Sequence, residues 1–252
     1  MRHIIIGDIH GCLHELKKLI KKIALVSSDK LYFVGDLIDR GPDSIGVVKY
    51  VRDLAEKYSI VLILGNHEEK LLRLFYHTNS NRNFARKMLN TSNISYLLKH
   101  LNPLDIDFLS SSFINYNILE KNICILHGGI PANCKFDLSY NYKYSFDIFK
   151  THKGLELLLK TRFLDEHGNF IALGEETEKS VFWADYYKSQ YGKIIFGHHA
   201  IVSAKPKLYT NAINIDTGCV YGGWLSCCIS HDENMSYLSV KASKDYCCKS
   251  SA

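Results

Sequence analysis

The sequence predicts an α/β protein in which the functional residues gather at one edge of a sheet. Short apolar runs of strand-forming residues recur along the chain, and each ends in glycine beside side chains that can hold a metal or a phosphate. These segments are residues 4–11, 31–42, 60–69, 123–129 and 193–199. In open α/β sheets, ligands bind in the crevice beyond the carboxyl ends of the strands. The five segments therefore predict one site, at that edge.

The first 65 residues predict the order β-α-β-α-β. After the first strand, apolar side chains recur at helical spacing and lysines occupy the opposite face. The apolar set is Leu13, Leu16, Leu19, Ile20 and Ile23. The turn at Gly41 and Pro42 leads to a second helix, which we expect to begin near Asp43 or Ser44. The apolar strand at 60–64 closes the unit, and such continuous apolar strands indicate a sheet covered by helices.

Residues 70–113 predict a helical insertion over the site. Helical segments are broken there by a stretch rich in asparagine and serine and by Pro103. Between residues 70 and 100 there is no acidic residue, and the basic residues are Lys70, Arg73, Arg82, Arg86, Lys87 and Lys99. Such a surface would attract a polyanion, although separate solvent-facing helix positions explain the same charges.

Further strands are predicted in the C-terminal part. Segments 212–216, 224–230 and 236–241 are apolar or β-branched and are joined by Gly-rich turns, so we expect antiparallel strands. At 252 residues, an α/β chain can bury its core as one unit. We therefore predict a single domain over residues 1–252, with the insertion at about 70–113.

Composition excludes some classes of protein. The net charge is +5, and no apolar run approaches the roughly 18 residues that a membrane span requires. We expect no membrane contact and a cytoplasmic location. The eight cysteines fall singly or in adjacent pairs, without a CxxC motif for zinc. We interpret them as reduced thiols.

The side chains at the strand ends have the chemistry of a metal site. They are Asp8, His10, Asp36, Asp39, Asn66, His127 and His198. Carboxylate and amide oxygens mixed with imidazoles, without thiolates, suit manganese, iron, zinc or magnesium. One catalytic metal does not need so many ligands. Two metals about 3.5–4 Å apart that share a bridging carboxylate would use them, and such pairs clamp the attacking and leaving oxygens in phosphoryl displacement.

The same motifs carry a resemblance to a known family. GDIHG (7–11), GDLIDRGPDS (35–44), GNHE (65–68), HGG (127–129) and FGH (196–198) occur in this order. The chain resembles the calcineurin-like metallophosphoesterases, in the branch shared by phosphoprotein phosphatases and symmetrical diadenosine tetraphosphatases. The resemblance runs from Ile4 to about Leu225. It implies a four-layer α/β/β/α sandwich with a dinuclear metal centre.

The resemblance also implies roles for individual residues. Asp8 and His10 would bind the first metal, Asp36 would bridge, and Asn66, His127 and His198 would bind the second. Manganese is the expected metal, with iron, zinc, magnesium and cobalt as alternatives. A hydroxide that bridges the metals would attack phosphorus. His67 would protonate the leaving oxygen, Asp39 would orient His67, and Arg40 would grip the phosphate. Arg162 is the candidate for a second phosphate-binding arginine, with an ordinary surface arginine as the alternative.

The substrate remains open between several hypotheses. The C-terminal motifs and the basic insertion favour symmetrical hydrolysis of diadenosine tetraphosphate and related dinucleoside polyphosphates to ADP. Asp39 and Glu68 match protein phosphatases instead, which favours a phosphoserine, phosphothreonine or phosphotyrosine substrate. A Glu68 that only starts a helix is an equal interpretation. Nucleotide-capped RNA is a further candidate partner for the basic surface. A catalytically inactive binding module would lack phosphatase activity, but every candidate ligand and His67 are present.

Overall fold

The strands and helices keep the alternation that the sequence predicts for residues 1–65. The computed structural model describes residues 1–80 and 92–248. The strands are β1 (Arg2–Ile6), β2 (Lys30–Phe33), β3 (Ser59–Leu62), β4 (Asn115–Ile118), β5 (Ile123–Leu126), β6 (Phe163–Leu164), β7 (Phe170–Ile171), β8 (Val181–Phe182), β9 (Lys193–Phe196), β10 (Lys207–Leu208), β11 (Ala212–Asn214), β12 (Trp224–His231) and β13 (Asn234–Lys241). The α-helices are α1 (Leu13–Ile23), α2 (Ser44–Ala55), α3 (Asn66–Ser80), α4 (Ser92–His100), α5 (Pro103–Ser110), α6 (Ile148–Thr151) and α7 (Trp183–Tyr186). Short 3-10 helices lie at Leu119–Lys121 and Leu155–Leu159.

The first sheet contains the predicted N-terminal unit. β1, β2 and β3 run parallel, and the strand order is β13-β12-β1-β2-β3. β12 pairs antiparallel with both β1 and β13, as expected for the last two strands. α1 buries its apolar face, and α2 begins where predicted because the Asp43 carboxylate accepts a hydrogen bond from the Gly46 N–H at 2.8 Å.

The second sheet shows that one predicted pairing is wrong. Its order is β10-β11-β9-β5-β4, and it holds the strands of the HGG and FGH motifs. β11 runs parallel to β9, so segment 212–216 does not pair with β12 or β13. The apolar pattern of this segment indicates a buried strand, but burial alone does not select the partner strand.

The two sheets pack face to face. A cluster of buried side chains from both sheets fills the space between them: Ile5, Tyr32, Val34, Ile125, Ile195 and Ile213. α1 and α2 cover the outer face of the first sheet. Short helices cover the outer face of the second sheet. There, Trp183 packs edge-on against Phe196, with ring centroids 4.7 Å apart. The α/β/β/α fold class is confirmed. The motif-bearing strands therefore lie in two facing sheets whose carboxyl ends meet at one edge.

The predicted insertion is helical where it is described. α3 begins at Asn66, within the GNHE motif, and α4 and α5 follow, with Pro103 as the first residue of α5. Arg82, Arg86 and Lys87 lie outside the described residues. Arg73 does not contribute an unpaired charge, because its Nε donates to Glu69 Oε1 at 2.9 Å. Lys70 and Lys99 are exposed.

The longest of the described helices is α3. α3 has 15 residues, and its first turn contains Glu68 and Glu69. None of the helices in residues 1–80 and 92–248 is long and apolar enough to cross a bilayer.

Candidate metal centre

The loops after five strands bring the predicted ligands to one place. Each residue follows a strand of one of the two facing sheets or, for Asn66, begins the helix after β3. The six residues are Asp8, His10, Asp36, Asn66, His127 and His198. All except Asn66 are buried, with exposed fractions of at most 8%.

Asp36 lies between two groups of imidazoles. Its Oδ2 is 3.3 Å from His10 Nε2, and its Oδ1 is 3.4 Å from His127 Nε2. Two sets of ligand atoms that include Asp36 each fit within 4.8 Å: one is formed by His10, Asp36 and His67, and the other by Asp36, His127 and His198. One carboxylate shared by two clusters is the arrangement that a bridging ligand requires.

Asp8 and Asn66 extend the two clusters. The Asp8 Oδ2 accepts a hydrogen bond from the His198 N–H at 2.9 Å, whereas its buried Oδ1 has no hydrogen-bond partner among the described residues. Asn66 Oδ1 lies 3.1 Å from His127 Nε2. A buried carboxylate oxygen without a donor is costly unless a cation or proton joins it. The donor set thus fits two divalent cations.

Backbone carbonyls orient two of the imidazoles. His10 Nδ1 lies 3.0 Å from the Ile38 carbonyl oxygen, and His127 Nδ1 lies 2.8 Å from that of Val34. A carbonyl accepts only, so each Nδ1 carries the proton that it donates. The His10 Nε2 therefore keeps its lone pair for a metal. Burial alone would lower the pKa of His127, but the charge of Asp36 raises it, so a metal would compete with a proton at the His127 Nε2.

Burial and neighbouring charges set the protonation of the centre. Burial lowers the pKa of His10 to about 4 and, together with His127 and Arg162, lowers the pKa of His198 well below its usual value. Burial alone would raise the pKa of Asp36, but His127 and His10 hold it well below its usual value. Burial and the nearby charges of Asp216 and Asp36 raise the pKa of Asp8. Cations would relieve this repulsion between carboxylates.

The backbone of the site is held in a sparsely populated conformation. His10, Asp36, Asp39, Arg40 and His198 all have positive φ angles, between 46° and 73°. Such left-handed residues cost on the order of 1–3 kcal/mol each and concentrate at functional sites. Gly65 leaves room here, because a Cβ at that position would collide with the backbone nitrogen and Oδ1 of Asp36.

Glu68 holds this strained loop in place. Its carboxylate is buried and accepts hydrogen bonds from the N–H groups of Asp36 at 2.8 Å, Ile38 at 3.1 Å and Gly65 at 3.2 Å. Burial, followed by the charge of Asp36, raises the pKa of Glu68 to about 7. Glu68 is thus more than a residue at a helix start, because it joins the loop after β2 to the loop after β3.

We expect Glu68→Ala to lower the free energy of unfolding by about 3 kcal/mol, since three buried N–H groups would lose their acceptor. Urea unfolding followed by circular dichroism measures this change. Glu56→Ala, at an exposed glutamate after α2, is the matched control and should shift the value by less than about 0.5 kcal/mol. Equal stability of both variants would contradict the role of Glu68.

His67, Asp39 and Arg40 form a hydrogen-bonded chain beside the clusters. His67 Nδ1 lies 2.8 Å from Asp39 Oδ2, and its Nε2 lies 3.1 Å from Arg40 Nη2. The hydrogen bond with His67 lowers the pKa of Asp39. Arg40 Nη1 lies 3.1 Å from His10 Nε2 and donates to the Tyr221 hydroxyl at 2.6 Å. The guanidinium thus lies across the mouth of the site.

Arg162 lies beside the second cluster and is not an ordinary surface residue. Its Nη2 donates to the His198 carbonyl oxygen at 3.0 Å and lies 3.4 Å from His198 Nδ1. Burial lowers the pKa of the guanidinium, and it pairs with no carboxylate among the described residues. The structure therefore brings all ten predicted residues of the site together.

Three residues of the site were not predicted. Asp216 is buried, and its charge acts on Asp8, while burial raises its own pKa to about 6. It follows β11, and the sequence signal was an apolar strand that ends in aspartate just before Gly218. Tyr221 contacts Arg40, and Asn93 of α4 donates to Asp39 Oδ1 at 3.1 Å. No local pattern marks these two, because their contacts are made across the fold.

Comparison with known proteins agrees with this arrangement. The family model for calcineurin-like phosphoesterases matches residues 1–202. An asymmetrical bis(5′-nucleosyl)-tetraphosphatase PrpE of Oceanobacillus iheyensis is 31% identical over 241 residues, covering 90% of this chain and 87% of that protein. A solved structure of a candidate diadenosine tetraphosphatase superposes with a TM-score of 0.71 at 27% identity, over 96% of this chain and 93% of that one.

A more distant structure shares the fold alone. The cold-active protein-tyrosine phosphatase of a Shewanella species superposes with a TM-score of 0.62 at 17% identity, over 95% of this chain and 80% of that one.

The family match spans the loops that carry all the candidate ligands, from Asp8 to His198. The chain therefore belongs to the calcineurin-like phosphoesterase family.

Proposed function

We propose that the protein hydrolyses dinucleoside polyphosphates, with diadenosine tetraphosphate as the expected substrate. The observation that carries this proposal is the placement of Asp36 between two imidazole clusters, beside two arginines. The reaction class follows from the family, and the substrate class is supported by relatives named as bis(5′-nucleosyl)-tetraphosphatases.

Two divalent cations would complete the centre. Asp8, His10 and Asp36 would hold one, and Asp36, Asn66, His127 and His198 the other. When bound, the cations lower the pKa of water to supply a nucleophile and neutralise charge on the phosphate oxygens. Imidazole and carboxylate ligands suit manganese, which we propose as the native metal, and cobalt, iron, magnesium and zinc are the metals to compare with it.

His67 and Asp39 would supply the proton that the leaving group takes up. Water adds to one phosphorus, the bond from that phosphorus to its bridging oxygen breaks, and the departing oxygen takes a proton. His67 lies where it would donate that proton, because Asp39 fixes its Nδ1 and leaves its Nε2 facing the site. A second proton, lost from the attacking water, passes to solvent, and His67 regains its proton from solvent, so the overall reaction consumes one water molecule.

Arg40 and Arg162 would bind the phosphate chain. Arg40 lies across the two histidines of one cluster, and Arg162 lies beside His198 of the other. A planar guanidinium donates two parallel hydrogen bonds to phosphate oxygens, and partial burial strengthens such bonds. Two arginines, one beside each cluster, would hold more than one phosphate, which favours a polyphosphate over a single phosphoryl group.

The position of cleavage requires a revision of the expectation from sequence. Symmetrical hydrolysis to ADP is not confirmed, and the relatives that match most of the chain are named as asymmetrical enzymes. We propose that this chain also divides the substrate unequally, into a nucleoside triphosphate and a nucleoside monophosphate.

Product analysis tests the proposed function. The manganese-loaded protein is incubated with diadenosine tetraphosphate, and the nucleotides are separated by chromatography. We expect ATP and AMP in equal amounts. ADP alone would show symmetrical cleavage and overturn the proposed position.

A parallel reaction contains a phosphopeptide, because Asp39 matches the residue found in protein phosphatases. Asp39 contacts His67 at 2.8 Å. Phosphate release from the peptide with an intact dinucleotide would overturn the proposed substrate class. Binding of nucleotide-capped RNA, which the basic residues of the insertion suggest, stays a prediction.

A further inference from the structure

A cavity adjoins the proposed centre on the side of His67. It lies between the loop after β2 and the insertion helix α4, has a volume of about 160 Å³, and Asp39 forms part of its wall. Pockets that enclose a whole drug-sized ligand are larger, at about 300–1,000 Å³. This cavity would therefore hold one part of the substrate.

The charges of the cavity exclude a phosphate group. Asp39 and Asp43 line it, and none of the described lining residues is basic. Arg40 follows Asp39 in the chain but does not line the cavity, and it contacts His10, His67 and Tyr221 instead. Two carboxylates would repel an anion at this range, so the part of the substrate that enters carries no negative charge.

The remaining walls suit a flat aromatic ring. Tyr96 lines the cavity and is 55% exposed, and one face of its ring lies against His100 with centroids 4.1 Å apart. Leu97 and Pro42 supply apolar surface, and Leu97 is buried. An exposed aromatic ring with one face already covered is a platform on which a nucleobase stacks.

We propose that this cavity binds the nucleobase of a substrate nucleotide, with Tyr96 as the stacking platform. The carboxylates select bases that donate an exocyclic amino group. Asp43 Oδ1 already accepts from the Gly46 N–H at 2.8 Å, and a carboxylate has further acceptor capacity. Asn93 at the rim can donate and accept, and its Nδ2 already contacts Asp39. Adenine and guanine therefore fit this site better than uracil.

The location identifies which nucleotide is bound, and this step rests on the proposed function. Asp39 is both a wall of the cavity and the partner of His67, the proposed acid. The base in the cavity therefore belongs to the nucleotide that leaves. Only Asp39 lies between the cavity and His67, the proposed acid. The phosphate chain between the bound base and the leaving oxygen is therefore short, as in a nucleoside monophosphate. Each added phosphate would lengthen the link between the ring and the leaving oxygen.

A binding measurement tests the site without requiring turnover. AMP and ribose 5-phosphate differ only in the base, and each is titrated by calorimetry into the manganese-loaded protein. We expect AMP to bind about tenfold tighter or more, as base stacking on an aromatic ring provides. Tyr96→Ala should reduce this ratio to about twofold, and Tyr96→Phe should keep it. Tyr140→Ala, at a tyrosine that is 67% exposed and does not line the cavity, is the matched control.

Kinetics with diadenosine tetraphosphate give a second readout. Tyr96→Ala should raise KM by about tenfold and change kcat less, because the contact is made in both ground and transition states. Equal binding of AMP and ribose 5-phosphate to the parent protein, or an AMP preference that survives in Tyr96→Ala, would overturn the base site. A parent protein that prefers AMP but leaves the dinucleotide intact would overturn the proposed function and support the base site.

Discussion

We expect Asp36→Asn to lower kcat/KM for diadenosine tetraphosphate by at least about 1,000-fold, because the shared carboxylate would hold both of the proposed cations. Its two oxygens lie 3.3 Å from His10 Nε2 and 3.4 Å from His127 Nε2, so both clusters depend on one side chain. An amide is uncharged and offers only one acceptor oxygen. The substitution therefore removes a bridge while it preserves the shape of the side chain.

Metal content provides the second readout for Asp36→Asn. Plasma mass spectrometry of the dialysed protein should show about two manganese ions per parent chain and at most about one per variant chain. Asp53→Asn, at an exposed aspartate of α2, controls for the loss of a charge and should keep both ions. A fully loaded and active Asp36→Asn variant would show that Asp36 does not bridge the metals.

His67→Asn should lower kcat for diadenosine tetraphosphate by about 100- to 10,000-fold while the protein keeps both metals. The imidazole is held by Asp39 at 2.8 Å, and its Nε2 faces Arg40 and Asp36. A proton donor matters most for a leaving group that departs poorly as an anion. The loss should therefore be much larger with phenyl phosphate, because phenolate leaves poorly without a proton, than with p-nitrophenyl phosphate, because p-nitrophenolate leaves without one.

The comparison of the two substrates separates an acid from a ligand. His67 Nε2 lies 3.9 Å from Asp36 Oδ2, and its ring belongs to the same group of ligand atoms as His10. If His67 bound a metal, the variant would lose an ion and both substrates would suffer equally. His167→Asn, at an imidazole that is 75% exposed, should leave rates and metal content at parent values.

Local patterns carried much of the information about this protein. The apolar strands, the helix that begins after Asp43 and the fold class were predictable because each depends on neighbouring residues or on short periodic patterns. The candidate ligands near the strand ends were predictable for the same reason, whereas His67, Arg40 and Arg162 were implied by the family resemblance. Strand ends in an α/β sheet converge on one edge, so motifs far apart in sequence could be assigned to one place before their distances were known.

Contacts between distant segments were not predictable in this way. β11 pairs with β9 in the second sheet, although its apolar pattern would suit either sheet. Glu68 holds the Asp36 loop through three N–H groups, and Asn93 reaches Asp39 from a helix 54 positions away. Such contacts depend on how loops meet in space, which a pattern of polar residues does not encode.

The sequence by itself determined the reaction chemistry, since the types of ligand and their positions after strands select metal-dependent phosphoester hydrolysis. Tertiary structure alone decided how the imidazoles are oriented, how Glu68 holds the Asp36 loop and where the cavity beside Asp39 lies. The cavity beside Asp39 exists only because α4 packs over the loop after β2. Ligand identity is a property of single side chains, whereas distance, orientation and enclosure arise when the two sheets and the insertion pack together.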